Sequence, residues 1–294
     1  MTNDAYLSAQ AAYKIFDGKR VLTDIHASVH AGEVVGLLGA NGAGKTTLIE
    51  MMMGLSPPSA GEVRLFGVDA IAAPLDAKRR VGFVPQSDEL IGILKGRQYL
   101  ELMASFYRTW DNALVDRLLL QWGVEGEQYI KNYSEGQRQK LAIIAALAPR
   151  PDLLVLDEPV ASLDPIARRQ FLQQIVEVSA DECRAVVFSS HIVSDVERLA
   201  NRIWVLKDGR LLWQGELDAL KESVIRVHVR EDAAESVRSR LRHTVSVRRV
   251  NGSGCRIVAM RAAGEDWSSL QALLGAEARV EHLGLEDIFL ELHS

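Results

Sequence analysis

The chain has 294 residues, 48% hydrophobic and 25% charged, the composition of an ordinary soluble globular protein with core enough for one large or two modest domains. A net charge of −5 implies no general affinity for nucleic acid. The two cysteines, Cys183 and Cys255, have no disulfide-framework or metal-ligand spacing and read as reduced cytosolic residues, and no histidine pair has zinc-site spacing. The start MTNDAYLSAQ lacks the basic and apolar stretches of a secretory signal, and no apolar run approaches the roughly 20 residues that cross a bilayer, so membrane association is expected only through a partner.

Apolar runs of strand length recur at Val34–Leu38, Val81–Val84, Leu153–Leu156, Ala185–Phe188 and Ile203–Leu206. Helical patterns between several of them point to an α/β domain with a mostly parallel, buried sheet. After the first run, Gly39-Ala-Asn41-Gly42-Ala-Gly44-Lys45-Thr46 fits G-x-x-x-x-G-K-[ST], followed by a helix expected from Thr47 to Met53. A strand before and a helix after are the context this phosphate loop requires. Its glycines let backbone N–H groups curl around phosphates, Lys45 reaches the terminal phosphates, and the Thr46 hydroxyl can ligate Mg²⁺. Alone, the motif indicates only nucleotide triphosphate binding.

From about 87 to 148 no strand-like run occurs; the pattern gives helices at Gln98–Tyr107 and Ala113–Trp122, then one opening at NYSEGQRQK. Ser134 and Gln137 form a capping-box pattern. Gly136 costs roughly 1 kcal/mol relative to alanine within that first turn. A glycine-containing helix start suits an anion that approaches the backbone closely. Further on, LLVL places Asp157 and Glu158 at the C-terminal end of a buried strand, where α/β sheets put ligands. Asp157 can join a Mg²⁺ shell and Glu158 can serve as general base.

After Gly215 the composition shifts. The order strand (VIRVHVR), helix (DAAESVRSRLR), strand (TVSVRRV), strand (CRIVAMR), helix (EDWSSLQALL), strand (ARVEHL) matches a split βαβ unit, with a last helix at LEDIFLEL. The expected architecture is an α/β P-loop NTPase core over residues 1–217, with a helical subdomain at about 87–148, and a small α+β domain over 218–294.

Over about residues 5–217 the sequence resembles the ATP-binding subunit of ABC transporters. Beyond the two nucleotide motifs, Gln86 after VGFVP resembles the Q-loop glutamine, which serves Mg²⁺ and faces the membrane subunit. Ser162-Leu-Asp164-Pro165 resembles the D-loop, and His191 after AVVFSS the switch histidine on the γ-phosphate. Phe16 in KIFDG resembles the aromatic that stacks on adenine, with Tyr13 as the alternative. Tyr133-Ser134-Glu135-Gly136-Gln137 stands where the family has LSGGQ, so Leu has become Tyr and the first Gly has become Glu. The resemblance implies an ATP- and Mg²⁺-dependent ATPase. In this family the signature of one subunit closes over the ATP held by the phosphate loop of the other, so Ser134, Gly136 and Gln137 are expected to serve a second copy of the chain. The segment from FYRTWD to Pro165 and the ending LEDIFLEL are most similar to bacterial exporter-type ATPases. Those work on the cytoplasmic face of the membrane with separately encoded permease subunits and export drugs, antimicrobial peptides, lipids or polysaccharides.

A non-transport member acting on ribosomes or DNA is the competing class. One ATPase unit, with no heptad run between the nucleotide motifs, favours transport, and no nucleic acid partner is expected. Two orientations are open for Glu135. A carboxylate facing the partner's phosphate at ~8 Å and an effective dielectric of ~20 would be repelled by about 2 kcal/mol per unit charge; turned outward, toward Arg138, it costs almost nothing. Arg238, Arg240, Arg242, Arg248 and Arg249 are a candidate surface for anionic lipid or a partner, although Glu231, Asp232 and Glu235 nearby favour a solvated, self-neutralised face.

Overall fold

The computed structural model describes residues 5–87, 90–160, 162–241, 243–250, 254–261, 274–275 and 278–293. The chain divides into two compact units, Met1–Gln214 and Gly215–Ser294.

In the first unit, β1 (Leu7–Phe16), β2 (Lys19–Val29), β4 (Ala60–Leu65) and β5 (Val68–Asp69) form one antiparallel sheet in the order β2-β1-β4-β5. A second sheet has the order β10-β9-β3-β8-β7-β6, built from β3 (Val34–Leu38), β6 (Val81–Val84), β7 (Leu153–Leu156), β8 (Ala185–Ser190), β9 (Arg202–Lys207) and β10 (Arg210–Glu216). The pairs β3/β8, β3/β9, β6/β7 and β7/β8 are parallel. Every residue of β3, β7 and β8 is buried, which is why β3 and β7 are unbroken apolar runs rather than alternations, and why β8 is apolar as far as Phe188. Leu37 and Leu38 are fully buried, and each such side chain stabilises the fold by about 1.5–3 kcal/mol relative to exposure.

The antiparallel sheet is absent from the strand pattern read in the sequence. Register shifts interrupt β1 between Ala9 and Ala12 and again around Lys14, and Ala11 has a left-handed φ of 44°. Bulges of this kind add residues on one side and destroy the period-2 alternation.

Helices α1 (Lys45–Met52), α2 (Leu75–Lys78), α6 (Pro165–Ser179) and α7 (Val193–Leu199) connect the strands. Between β6 and β7 lie α3 (Gly96–Ala104), α4 (Asn112–Gln121) and α5 (Glu135–Leu147), with no strand among the described residues. Among the described residues, no helix is long and apolar enough to cross a membrane.

In the second unit, α8 (Leu217–Ser223) leads into β11 (Val224–Arg230), α9 (Ala234–Arg240), β12 (Thr244–Val250), β13 (Gly254–Met260), β14 (Ala278–His282) and α10 (Leu285–His293). The sheet order β12-β13-β11-β14, antiparallel throughout, is that of a split βαβ unit. Residues 265–273 of the second expected helix lie outside the described residues. Alternation along β11 divides the faces: Ile225, Val227 and Val229 join Val237, Leu241 and Ile257 in the core. Arg226 and His228 face the other way, and Arg226 donates to Asp287 and Glu291 of α10 at 3.1 Å. His228 bonds Glu281 at 2.7 Å, and this bond, followed by the Arg226 charge, holds the Glu281 carboxyl below the usual carboxylate range. Arg238 pairs with Glu235 and Arg249 with Glu231, the self-neutralised arrangement; Arg242 lies outside the described residues.

Candidate functional site

The loop between β3 and α1 wraps a cavity of about 300 Å³. Its lining includes Asn41, Gly42, Gly44, Lys45, Thr46 and Thr47, with Gln86 after β6, Glu158 after β7, and Val21 of β2. Gly44, the N-cap of α1, has φ 104°, a region closed to residues with a Cβ, and a Cβ on Gly39 would stand 2.7 Å from the Leu206 carbonyl oxygen. A side chain at either position would deform the loop. The loop ends at a helix N-terminus with free N–H groups, the arrangement that receives phosphate.

Lys45 is 7% exposed. Its ammonium donates to the Gly39 carbonyl at 3.0 Å and lies 3.2 Å from Glu158 Oε1. The other Glu158 oxygen accepts from His191 Nδ1 at 2.8 Å and from the His191 backbone N–H at 3.3 Å. A carboxylate only accepts, so Nδ1 carries the proton and Nε2 remains for a ligand. Glu158 itself takes a left-handed φ of 48°. Thr46 Oγ1 donates to Gln86 Oε1 at 3.2 Å, which brings two of the three expected metal donors together. Asp157, the third, is 1% exposed.

Sequence reasoning missed the residue that orients this acid pair. Parallel pairing of β7 with β8 sets Ser189 beside the end of β7. The buried Ser189 hydroxyl accepts from the Glu158 backbone N–H at 2.7 Å and donates to Asp157 Oδ1. Only the register of the two strands reveals the pairing. Val21 was also missed, because its strand was not recognised.

Phe16 is not among the lining residues. Its half-exposed ring carries the Lys14 ammonium 4.7 Å from its centroid, and Tyr13 lies in β1 opposite Ala60.

Ser134, Gly136, Gln137 and Asp164 are likewise outside the cavity lining. Ser134 caps α5: its hydroxyl accepts from Gln137 N–H at 3.2 Å, and the Gln137 side chain accepts from Ser134 N–H at 2.9 Å. Asp164 caps α6, accepting from Ile166 and Ala167 N–H at 2.9 Å. The Ala167 bond is the first cause of an Asp164 carboxyl held below its ordinary range. Tyr133, in place of the family's leucine, is buried; its O–H donates to the Glu125 carbonyl at 2.6 Å, and burial raises its pKa. The exposed Glu135 carboxylate accepts from the Ser162 hydroxyl of its own subunit.

A sequence profile described as ABC transporter matches residues 22–161. The Nod factor export ATP-binding protein I of Burkholderia thailandensis is 32% identical, across 98% of this chain and 97% of its own length. The daunorubicin/doxorubicin resistance ATP-binding protein DrrA of Streptomyces peucetius is 34% identical, across 76% of this chain and 71% of its own. A solved ATP binding subunit of an ABC transporter, 29% identical, superposes with a TM-score of 0.68 over 74% of this chain and 92% of that one.

Proposed function

The chain belongs to the ABC transporter ATP-binding proteins, and from that premise we propose that it hydrolyses ATP as a homodimer and drives export through separate membrane subunits. The carrying observation is a division of the expected nucleotide contacts. Lys45, Thr46, Gln86 and Glu158 share one cavity, while Ser134 and Gly136 are absent from its lining. A second copy facing the first supplies the missing serine hydroxyl and glycine N–H to that nucleotide, giving two composite sites per dimer.

Within each site the loop N–H groups and Lys45 hold the phosphates. Thr46, Gln86 and Asp157 offer a hydroxyl, an amide oxygen and a carboxylate, a hard oxygen set that suits Mg²⁺. The metal, when bound, neutralises charge that develops on the phosphates. Glu158 accepts the proton of the attacking water, and Nδ1–H keeps the His191 ring against Glu158 with its Nε2 edge toward the γ-phosphate, a hydrogen bond that requires Nε2 to carry a proton as well. Phe16 or Tyr13 stacks on adenine. Export is supported by similarity across nearly the whole chain to a relative named for Nod factor export. The reading places the protein on the cytoplasmic face of the membrane, bound to its permease.

Subunit mixing tests the composite site. Lys45→Ala removes phosphate binding and Ser134→Arg fills the signature, so each variant alone is inactive. Their heterodimer retains one intact site and recovers ATPase activity. An inactive mixture, with heterodimers demonstrated, refutes the proposal.

A further inference from the structure

Glu135 is the clearest departure of this chain from the family signature, and its carboxylate is engaged within its own subunit. Ser162, which donates to it, also packs its backbone against the same helix start: a Cβ on Gly136 would lie 3.0 Å from the Ser162 carbonyl oxygen. One turn further along α5, the buried Gln139 donates to the Pro159 carbonyl at 3.2 Å. Lys140, next in sequence, has its ammonium 4.0 Å from Asp164. Positions 135 and 139 lie on one face of a helix, so these contacts bind the chain that leaves Glu158 along a single stripe of α5.

We propose that Glu135 is a positioning residue of the composite ATP site. By accepting from Ser162 it ties the turn at Ser162–Asp164 to Ser134 and Gly136, so that the residues meeting the partner's nucleotide move together with the chain emerging from this subunit's own Glu158. Closure over one nucleotide is thereby transmitted, within a subunit, to the base serving the other. This rests on the composite-site reading above. A negative side chain in the first turn of α5 also meets the positive end of the helix, and that effect alone needs no Ser162.

A double-mutant cycle separates the two. In a Glu158→Gln background, Glu135→Ala, Ser162→Ala and the double variant are compared for ATP-dependent dimer affinity by sedimentation. Amide hydrogen exchange at Leu163, whose N–H donates to the Val160 carbonyl at 3.2 Å, is followed without nucleotide. Loss of one such hydrogen bond predicts a dimer about 3- to 10-fold weaker for each single variant, and a double variant no weaker than either. Glu135→Gln, which keeps the acceptor oxygen, restores most of the affinity. Exchange at Leu163 quickens in both alanine variants and is restored by glutamine. Additive effects, a glutamine variant no better than alanine, or unchanged exchange at Leu163 overturns the proposal. If the Glu158→Gln parent forms no ATP dimer, the composite-site reading fails by itself, and exchange still decides whether Glu135 holds the turn.

Discussion

Ser189→Ala removes one oxygen that serves both acids of the site. With it goes the acceptor for the Glu158 N–H and the donor to Asp157 Oδ1, in a place where Ser189 and Asp157 are 0% and 1% exposed. A buried polar group left without its partner costs about 1–3 kcal/mol, so a loss near 2 kcal/mol is expected. For a unit the size of Met1–Gln214 that lowers Tm by about 4–8 °C. The catalytic consequence follows from geometry. Glu158 keeps a left-handed φ of 48°, a conformation costing on the order of 1–3 kcal/mol that the bond to Ser189 helps to hold. Released, its carboxylate drifts, and a displacement near 1 Å is worth roughly 100-fold in rate. Asp157 loses its orientation as well, so the Mg²⁺ concentration needed for half-maximal ATPase activity rises. ATP binding in EDTA stays unchanged, because Lys45 and the loop amides are untouched. Thermal unfolding, Mg²⁺ titration of steady-state turnover and fluorescent-ATP binding measure the three effects. Ser189→Cys, with a weaker donor of similar shape, falls between the parent and alanine. A Ser189→Ala enzyme with native Tm, turnover and Mg²⁺ dependence refutes the reasoning.

Glu158→Gln should bind MgATP yet turn over 10²- to 10⁴-fold more slowly, the usual contribution of a positioned base, and elute as an ATP-bound dimer on gel filtration; wild-type turnover would remove Glu158 from that role. A chain ending at Glu216 should still bind ATP, since every residue of the cavity precedes it; a folded truncation without nucleotide affinity would contradict this. In the second unit, the His228 and Arg226 contacts hold the Glu281 pKa below its unfolded value, so as pH falls the unfolded chain binds that proton first. The stabilisation is therefore complete above the unfolded pKa and is lost as pH falls from there through the lower folded pKa, and Glu281→Gln should flatten that acidic part of a urea-unfolding profile measured against pH.

Much of this architecture can be read directly in the sequence, for a physical reason. Strands buried on both faces carry no polar interruptions, so β3, β6 and β7 show their full length as apolar runs. The loop from Gly39 to Thr46 is equally visible because phosphate binding constrains consecutive residues. The half-exposed strands of the N-terminal sheet are hidden, since their signal is an alternation and each bulge in β1 resets its phase.

The contacts that tune the site are hidden for a different reason. Ser189 reads as the polar end of a strand, and Glu135 as an acid in a first helical turn; both descriptions are true and neither gives the function. What gives them meaning is a partner from elsewhere in the chain: Asp157 for Ser189 and Ser162 for Glu135. Such pairings depend on strand register and on which face of α5 meets the chain after Glu158, and neither is encoded in local spacing. A motif therefore marks where the phosphates go. The orientation of Asp157 and Glu158 depends on a hydroxyl contributed by a neighbouring strand, and the coupling proposed between sites rests on a carboxylate at a signature position where the family has glycine. Substitutions at Ser189 and Glu135 should accordingly change metal dependence and dimer coupling respectively, while Gly39–Thr46 continues to bind nucleotide.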